Sequence, residues 1–290
     1  MNRKNNLAMN PIDAVITWVD GNSERHRQRR LHHMSKEQTL LHENAINPHR
    51  WKCNDEIIYC LISIENHAPW VRNIWIVVDD EVPDLSSLSN ALRHKILIAY
   101  HHEIFADFQD ALPTFNSLAI ESMIWRIEGL SERFLYFNDD VFLTAPLQPT
   151  DVFEGNTPVL RGKWANYASI VSDLDAHKDP SLFNHFMQIN AAKIMCFKET
   201  HLFAAAHVVH PFLCSKMEHL FSNFPDAFKN NITHRFRDLS QFLPQGLHNH
   251  ACINDGCFVL TLEEDHTHIW SGIGLTSPSG DTHALLKSAS

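Results

Sequence analysis

Three apolar runs of this chain end in acid. Ala14-Val15-Ile16-Thr17-Trp18-Val19 leads into Asp20, Ile74-Trp75-Ile76-Val77-Val78 into Asp79 and Asp80, and Phe134-Leu135-Tyr136-Phe137 into Asn138, Asp139 and Asp140. Carboxylates are hard oxygen donors. An adjacent pair at a strand end can hold Mg²⁺ or Mn²⁺ against a diphosphate, with water and phosphate oxygens filling the remaining positions. Any one of these runs reads as a turn, because Asp and Asn make turns after strands. Three together point to one pocket, since the parallel strands of an open α/β sheet share a carboxyl edge where ligands bind. Asp139-Asp140 ranks above Asp79-Asp80, whose neighbours Glu81 and Asp84 suit a solvated turn.

Other side chains could complete such a pocket. His207 and His210 stand three apart and would share a face on a helix, where one could act as a general base or metal ligand. Arg235 and Arg237 could fork onto phosphate oxygens; the plainer reading is a basic helical turn paired with Asp238. His248-x-His250-x-Cys252 followed by Cys257 invites a zinc reading, but the spacing fits no common zinc pattern and Asn254-Asp255-Gly256 reads as a turn.

The elements that must position these residues follow a β-α-β rhythm. Asn22 to Glu43 reads as a charged helix beside the first strand's carboxyl end, and Asn54 can cap a helix running through Ile57, Leu61 and Ile64. A short helix is expected over Leu85 to Leu92, a third strand at Lys95 to Tyr100, and a helix from Asn116 or Ser117 through Ile127 to a stop at Gly129. Phe212 to Phe224 has helical spacing. The fold class is therefore α/β: a mainly parallel sheet with helices on both faces and a more helical C-terminal half. One domain over 12–270 is expected, with a soft internal boundary near 153 and tails at 1–11 and 271–290.

Composition bounds the function. A chain of 290 residues that is 44% hydrophobic can bury a full core without staples. Its formal charge of -10 and lack of a long basic run speak against nucleic acid, so an anionic substrate would need cations gathered locally. Six scattered cysteines with no C-x-x-C pair read as reduced. Met1 to Asn10 lacks the apolar core of a signal peptide, and no run approaches the ~18 apolar residues of a membrane span. A cytoplasmic chain is expected, with peripheral association at the inner face of the membrane left open.

Several segments resemble the Stealth proteins, a family that includes bacterial capsular-polysaccharide phosphotransferases. Ile12 to Gly21 resembles the first conserved block. Arg50-Trp51, Asn54-Asp55-Glu56, Ser63-Ile64-Glu65, Ala68-Pro69-Trp70-Val71-Arg72, Leu112 to Ser117, Ala119-Ile120-Glu121 and Phe134 to Asp140 resemble the second. A third block is similar to Ala206-His207 through His210, His234 and Arg237, and a short fourth to Cys252-Ile253-Asn254-Asp255. Pro211 after His210 and Gly256 after Asp255 depart from the pattern.

The resemblance implies a nucleotide-sugar-transferase-like fold and transfer of a sugar 1-phosphate from a nucleotide diphosphate sugar to a hydroxyl of an oligosaccharide or polysaccharide, releasing nucleoside monophosphate. It implies Asp20, His207 and Arg237 as catalytic, with Asp20 or His207 as base, and Asp139, Asp140 and Asp255 as ligands of Mg²⁺ or Mn²⁺. Within the same motifs Asn116, Asn138, Arg235 and Asn254 are expected at substrate. A peripheral tie to a membrane polysaccharide-assembly complex is a further expectation. The competing readings are a metal-dependent glycosyltransferase and a noncatalytic carbohydrate-binding subunit.

Overall fold

The computed structural model describes residues 11–37, 41–51, 53–261 and 264–268. The expected tails at 1–11 and 271–290 lie outside these, Pro11 excepted. Along the chain the strands are β1 Ile12–Thr17, β2 Ile74–Val78, β3 Ile96–Tyr100, β4 Arg133–Asn138, β5 Phe153–Glu154, β6 Thr157–Leu160, β7 Gly162–Ala165, β8 Leu202–Ala205, β9 His210–Leu213 and β10 Val259–Leu260. The longer helices are α1 Glu24–Met34, α2 Glu56–His67, α3 Ser117–Glu121, α4 Phe183–Ile194, α5 Cys214–Asn223, α6 Pro225–Thr233 and α7 Pro244–Asn254.

The main sheet has the order β3-β2-β1-β4-β9, with the first four strands parallel and β9 antiparallel to β4. Side chains alternate between its faces. Ala14, Ile16, Ile76, Leu135 and Phe137 pack on one face with Ile57, Leu61 and Ile64 of α2. Val15, Val77, Phe134 and Tyr136 pack on the other with Met123, Met217 and Phe228. Strands buried on both faces read as continuous apolar runs, which is why they stood out in the sequence. Among the described residues no helix is long and apolar enough to cross a membrane.

One buried carboxylate fixes the strand register at the amino edge. Asp13 is 0% exposed and accepts from Arg72 Nε at 2.8 Å and Nη2 at 2.6 Å, the Asn73 amide at 3.1 Å and the Ser131 amide at 2.9 Å. Those donors sit just before β2 and β4, so a single side chain of β1 clips both neighbours. The registers of β1 with β2 and with β4 are thereby set so that these three strands end together at the opposite edge.

Local differences from the sequence reading have physical causes. The helix expected through Ile127 stops at Glu121, because Ser122 Oγ bonds back to the Leu118 carbonyl at 2.7 Å and takes Asn231 Nδ2 at 2.7 Å. Asp55, not Asn54, precedes α2, with φ 60°, while the Asn54 amide and Nδ2 both donate to the Glu56 carboxylate. Only Asn90–Arg93 of the helix expected near residue 85 is helical. Phe212 and Leu213 belong to β9, and α5 begins at Cys214.

Asp13→Ala is expected to lower the unfolding free energy by about 2 kcal/mol, since it leaves two amides without their acceptor, while the Arg72 side chain, 41% exposed, regains water. A fall in the urea midpoint at unchanged slope reads this directly; a midpoint equal to the parent's would refute the clip.

Candidate active site

The parallel strands deliver their acids to one edge, but not to one fate. Asp79 and Asp80, after β2, are taken by α1: Arg29 Nη1 lies 2.6 Å from Asp79 Oδ2 and 3.3 Å from Asp80 Oδ2, and Arg25 reaches Asp80 at 2.5 Å. That pair anchors a helix. Ser23 caps α1, accepting from the His26 amide. Asp20, after β1, closes the turn before it by accepting the Asn22 amide at 2.9 Å, and Asn22 Nδ2 holds the Cys53 carbonyl at 2.7 Å. Only glycine fits next, because a Cβ on Gly21 would lie 2.2 Å from the Trp51 carbonyl oxygen.

Asp139 and Asp140, after β4, remain available to a ligand. Burial raises the Asp139 pKa to about 7, with Asp140 and Glu56 adding like charge. Asp140 is turned outward, and its Oδ1 lies 3.4 Å from His207 Nε2. That contact holds Asp140 below the ordinary carboxylate range and raises His207. His207 follows β8 in a bend, two residues beyond Ala205. The antiparallel strand pair carrying it needs Gly162, where a Cβ would meet the Ala204 carbonyl oxygen at 2.3 Å.

The shared helical face expected for His207 and His210 is not formed. His210 opens β9 opposite Tyr136, and burial lowers its pKa to about 3. An i, i+3 spacing also fits a bend followed by a strand, and pairing with β4 selects that.

Arg237 completes the group from the loop after α6. Its Nη2 donates to Ser117 Oγ at 2.8 Å and Nη1 to Asn44 Oδ1 at 3.4 Å, while Nε is buried without a partner. Burial lowers its basicity, opposed by Glu121, Tyr136 and Asp140. Glu121 is 3% exposed, accepts from Gln245 Nε2 at 2.8 Å, and is raised by its burial. Beside it the Tyr136 hydroxyl pairs with Thr17 Oγ1 at 2.9 Å and takes Asn138 Nδ2 at 3.3 Å. Glu121 bears on both His207 and Arg237. Read from sequence, it was one acid in a helical motif; its burial by Gln245, 124 residues on, left no local sign.

Four expectations change. Asn116 is buried and spent on the fold: Nδ2 donates to the His234 carbonyl and to Gln241 Oε1, both at 2.9 Å, and Oδ1 accepts the Leu118 amide at 3.2 Å. It positions the Arg237 loop and has no group left for substrate. Arg235 Nη2 is tied to the Asp110 and Leu112 carbonyls at 3.0 and 3.3 Å. It still lines, with His42, His234, Arg237 and Asp238, a polar cavity of about 90 Å³. Asp255 and Asn254 lie at the other edge of the sheet. Asp255 pairs with Lys216 of α5, which follows the end of β9 beside the start of β4, and Asn254 Nδ2 holds the Met195 carbonyl at 3.0 Å. An Asn-Asp pair ending α7 matched the motif by residue type alone. The larger, apolar cavity, about 210 Å³ behind Ile74 and Leu92, is also at that amino edge.

The zinc reading of α7 falls too. His248 Nε2 meets the Leu213 amide at 3.2 Å and His250 Nε2 the Phe203 amide at 3.0 Å, so both bind β9 and β8 to the helix. Among the described residues no three His, Cys, Asp or Glu side chains form a metal cage. The edge suits a different mode of binding. Mg²⁺ commonly uses one or two carboxylates plus substrate phosphates, and the like charge of Asp140 and Glu56, which adds to the burial of Asp139, is what a divalent cation relieves.

Comparison with known proteins bears on this edge. Residues 10–31 match Stealth protein conserved region 1 and residues 50–159 match Stealth protein conserved region 2. The chain carries the first two conserved regions of the Stealth proteins. The matched regions hold Asp20, Glu56, Glu121, Asp139 and Asp140; His207 and Arg237 lie outside them. An exopolysaccharide phosphotransferase of Streptomyces coelicolor is 34% identical over 81% of this chain and 42% of its own length. A second from that organism is 45% identical over 50% of this chain and 24% of its own length. A capsular polysaccharide phosphotransferase of Neisseria meningitidis serogroup B is 39% identical over 50% and 38%. The chain thus spans well under half the length of these curated relatives. A galactosyltransferase crystallised with donor and acceptor sugar analogues aligns over 86% of this chain and 73% of its own, at 12% identity and a TM-score of 0.41, too low to bear on the chemistry.

Buried histidines set a pH dependence of stability. Burial, the largest cause in each, lowers His26 to about 4 and His101, His210 and His248 to about 3. Unfolded histidine titrates near ~6.5, so below that pH the unfolded chain binds more protons. Stability is therefore full above about pH 6.5 and lost as pH falls toward 4, by roughly 1.4 kcal/mol per pH unit for each such histidine. His207, shifted the other way, offsets only one of the four. Urea midpoints at pH 7.5 and 5.5 should show a clear fall; equal midpoints would contradict it.

Proposed function

We propose that the chain is a sugar-1-phosphate transferase: it moves a hexose or N-acetylhexosamine 1-phosphate from a nucleotide diphosphate sugar to a hydroxyl of a growing exopolysaccharide or capsule. The observation that carries this reading is the group formed by Asp139, Asp140, His207, Arg237 and Glu121 at one sheet edge. Relatives bearing the name phosphotransferase align across that group. Phosphoryl transfer asks for alignment and charge neutralisation, and this edge offers a guanidinium, an imidazole and paired carboxylates for a cation.

In this reading Arg237, its Nε unpartnered in a dry setting, takes oxygens of the transferring phosphoryl group. The acceptor hydroxyl oxygen attacks the sugar-bearing phosphorus. The bond from that phosphorus to the bridging oxygen breaks, and nucleoside monophosphate leaves with that oxygen. His207, oriented by Asp140 as a carboxylate orients a catalytic imidazole, accepts the hydroxyl proton. Asp20, with one oxygen held in its turn, is the alternative base. Asp139 and the second oxygen of Asp140 would hold Mg²⁺ or Mn²⁺, which when bound neutralises charge developing on the diphosphate.

The test is product identity. Purified protein is incubated with Mg²⁺, a panel of nucleotide sugars and short oligosaccharide acceptors. Nucleoside monophosphate with phosphorus retained in the acceptor is expected. Nucleoside diphosphate would mean glycosyl transfer, and ligand binding without turnover would mean a carbohydrate-binding subunit. His207→Ala should lose ~10²–10⁴-fold in turnover while its melting temperature stays near the parent's, and parental turnover in this variant would remove His207 from the mechanism. Chelation should abolish release and added Mg²⁺ restore it.

A further inference from the structure

Arg161, just after β6, holds two distant segments at once. Its carbonyl accepts the Ala206 amide at 3.1 Å, one residue before His207. Its guanidinium, 5% exposed, forks onto Asp265, with Nε 2.9 Å from both carboxylate oxygens and Nη2 2.6 Å from Oδ2. The Asp265 segment arrives by way of β10, which pairs in parallel with β6 at Val259↔Val159 and Leu260↔Leu160, and the Thr261 amide extends this to the Leu160 carbonyl at 3.2 Å. Three residues past Asp265, the His268 ring lies 5.6 Å from the His207 ring with the planes at 36°. His268 also bears on Asp140.

We propose that His268 is an anion-binding residue of the transfer site, delivered by the Arg161–Asp265 fork to a place beside His207 where it meets the phosphoryl oxygens of a diphosphate. Two observations converge on this. A bidentate fork made by a nearly buried arginine fixes geometry in a way a frayed terminus does not need. The charges also call for it: Asp20, Glu56, Glu121, Asp139 and Asp140 gather around the edge, where Arg237 bears on Glu121 and Asp140. A diphosphate entering there needs further positive charge. The single arginine that holds the backbone beside His207 also holds the segment that ends at His268.

The proposal rests on the phosphotransfer reading for its substrate, but its test does not require turnover. Inorganic pyrophosphate is titrated calorimetrically into the full chain and into His268→Ala, Asp265→Ala, the double variant and His268→Lys, with thermal melts confirming that each is folded. His268→Ala should bind about tenfold more weakly, the loss of one charge-assisted hydrogen bond. Asp265→Ala should weaken binding similarly, the double variant no further than the worse single by more than about twofold, and His268→Lys should recover most of the affinity. Should Asp265→Ala not fold, Asp265→Asn takes its place. Equal affinity in the parent and His268→Ala, including binding by neither, overturns the proposal, as do independent, multiplying losses in the double variant. A parent that binds pyrophosphate through His268 yet releases no nucleoside monophosphate would sink the phosphotransfer reading and leave the anion site standing.

Discussion

The carboxylate of Asp13, sealed beneath the sheet, is the constraint on which the rest depends. A charge removed from water is tolerated only when hydrogen bonds replace its hydration, and Asp13 recruits a guanidinium and backbone amides from the entries to β2 and β4. The cost of leaving any of them unmade locks three strands in register. A slip of one residue would turn Val15 and Ile16 to the wrong faces and would also carry Asp20 and Asp139 away from the same rim. The chemistry at the carboxyl edge is thus held in place from the amino edge, with an apolar sheet between.

At that rim the fold balances opposite charges at different depths. Glu121 and Arg237 lie deep, sharing Ser117 and Tyr136, and form a dry floor where each moderates the other. Asp140 and His207 lie outside them, open to solvent. An arrangement with buried polar groups below and a wet, acidic mouth above suits a ligand that brings its own negative charge together with a cation, because neither is well accommodated alone. The other acid pair, Asp79-Asp80, shows the contrast: once matched by Arg25 and Arg29, the same residue types merely fasten α1.

What the sequence discloses about this edge follows from how local each signal is. Strands buried on both faces need unbroken apolar runs, so β1, β2 and β4 and the acids that end them are visible in the chain itself. The hydrogen-bonding state of a polar side chain is not. Asn116 looks like a ligand-facing amide and is a clasp across to Gln241. Asn254-Asp255 has the form of a site motif and caps α7 against Lys216. Glu121 looks like a helix-surface acid and is interior because Gln245 covers it. The histidine spacing of 207 and 210 could not distinguish a helix from a bend entering β9, since only the partner strand decides it. In each case a group more than thirty residues away settled the matter.

The placement of β1 in the middle of the sheet has a cost in time. Its register with β2 is available once the first seventy-odd residues exist, but its other edge waits for β4, roughly 120 residues further along, where closure entropy is high and pairing slow. Until then an apolar strand presents bare amides and carbonyls to any neighbour. A nascent chain of this kind is vulnerable to self-association before it can work, so its yield on refolding should depend more on dilution and chaperone supply than on the final stability of the fold.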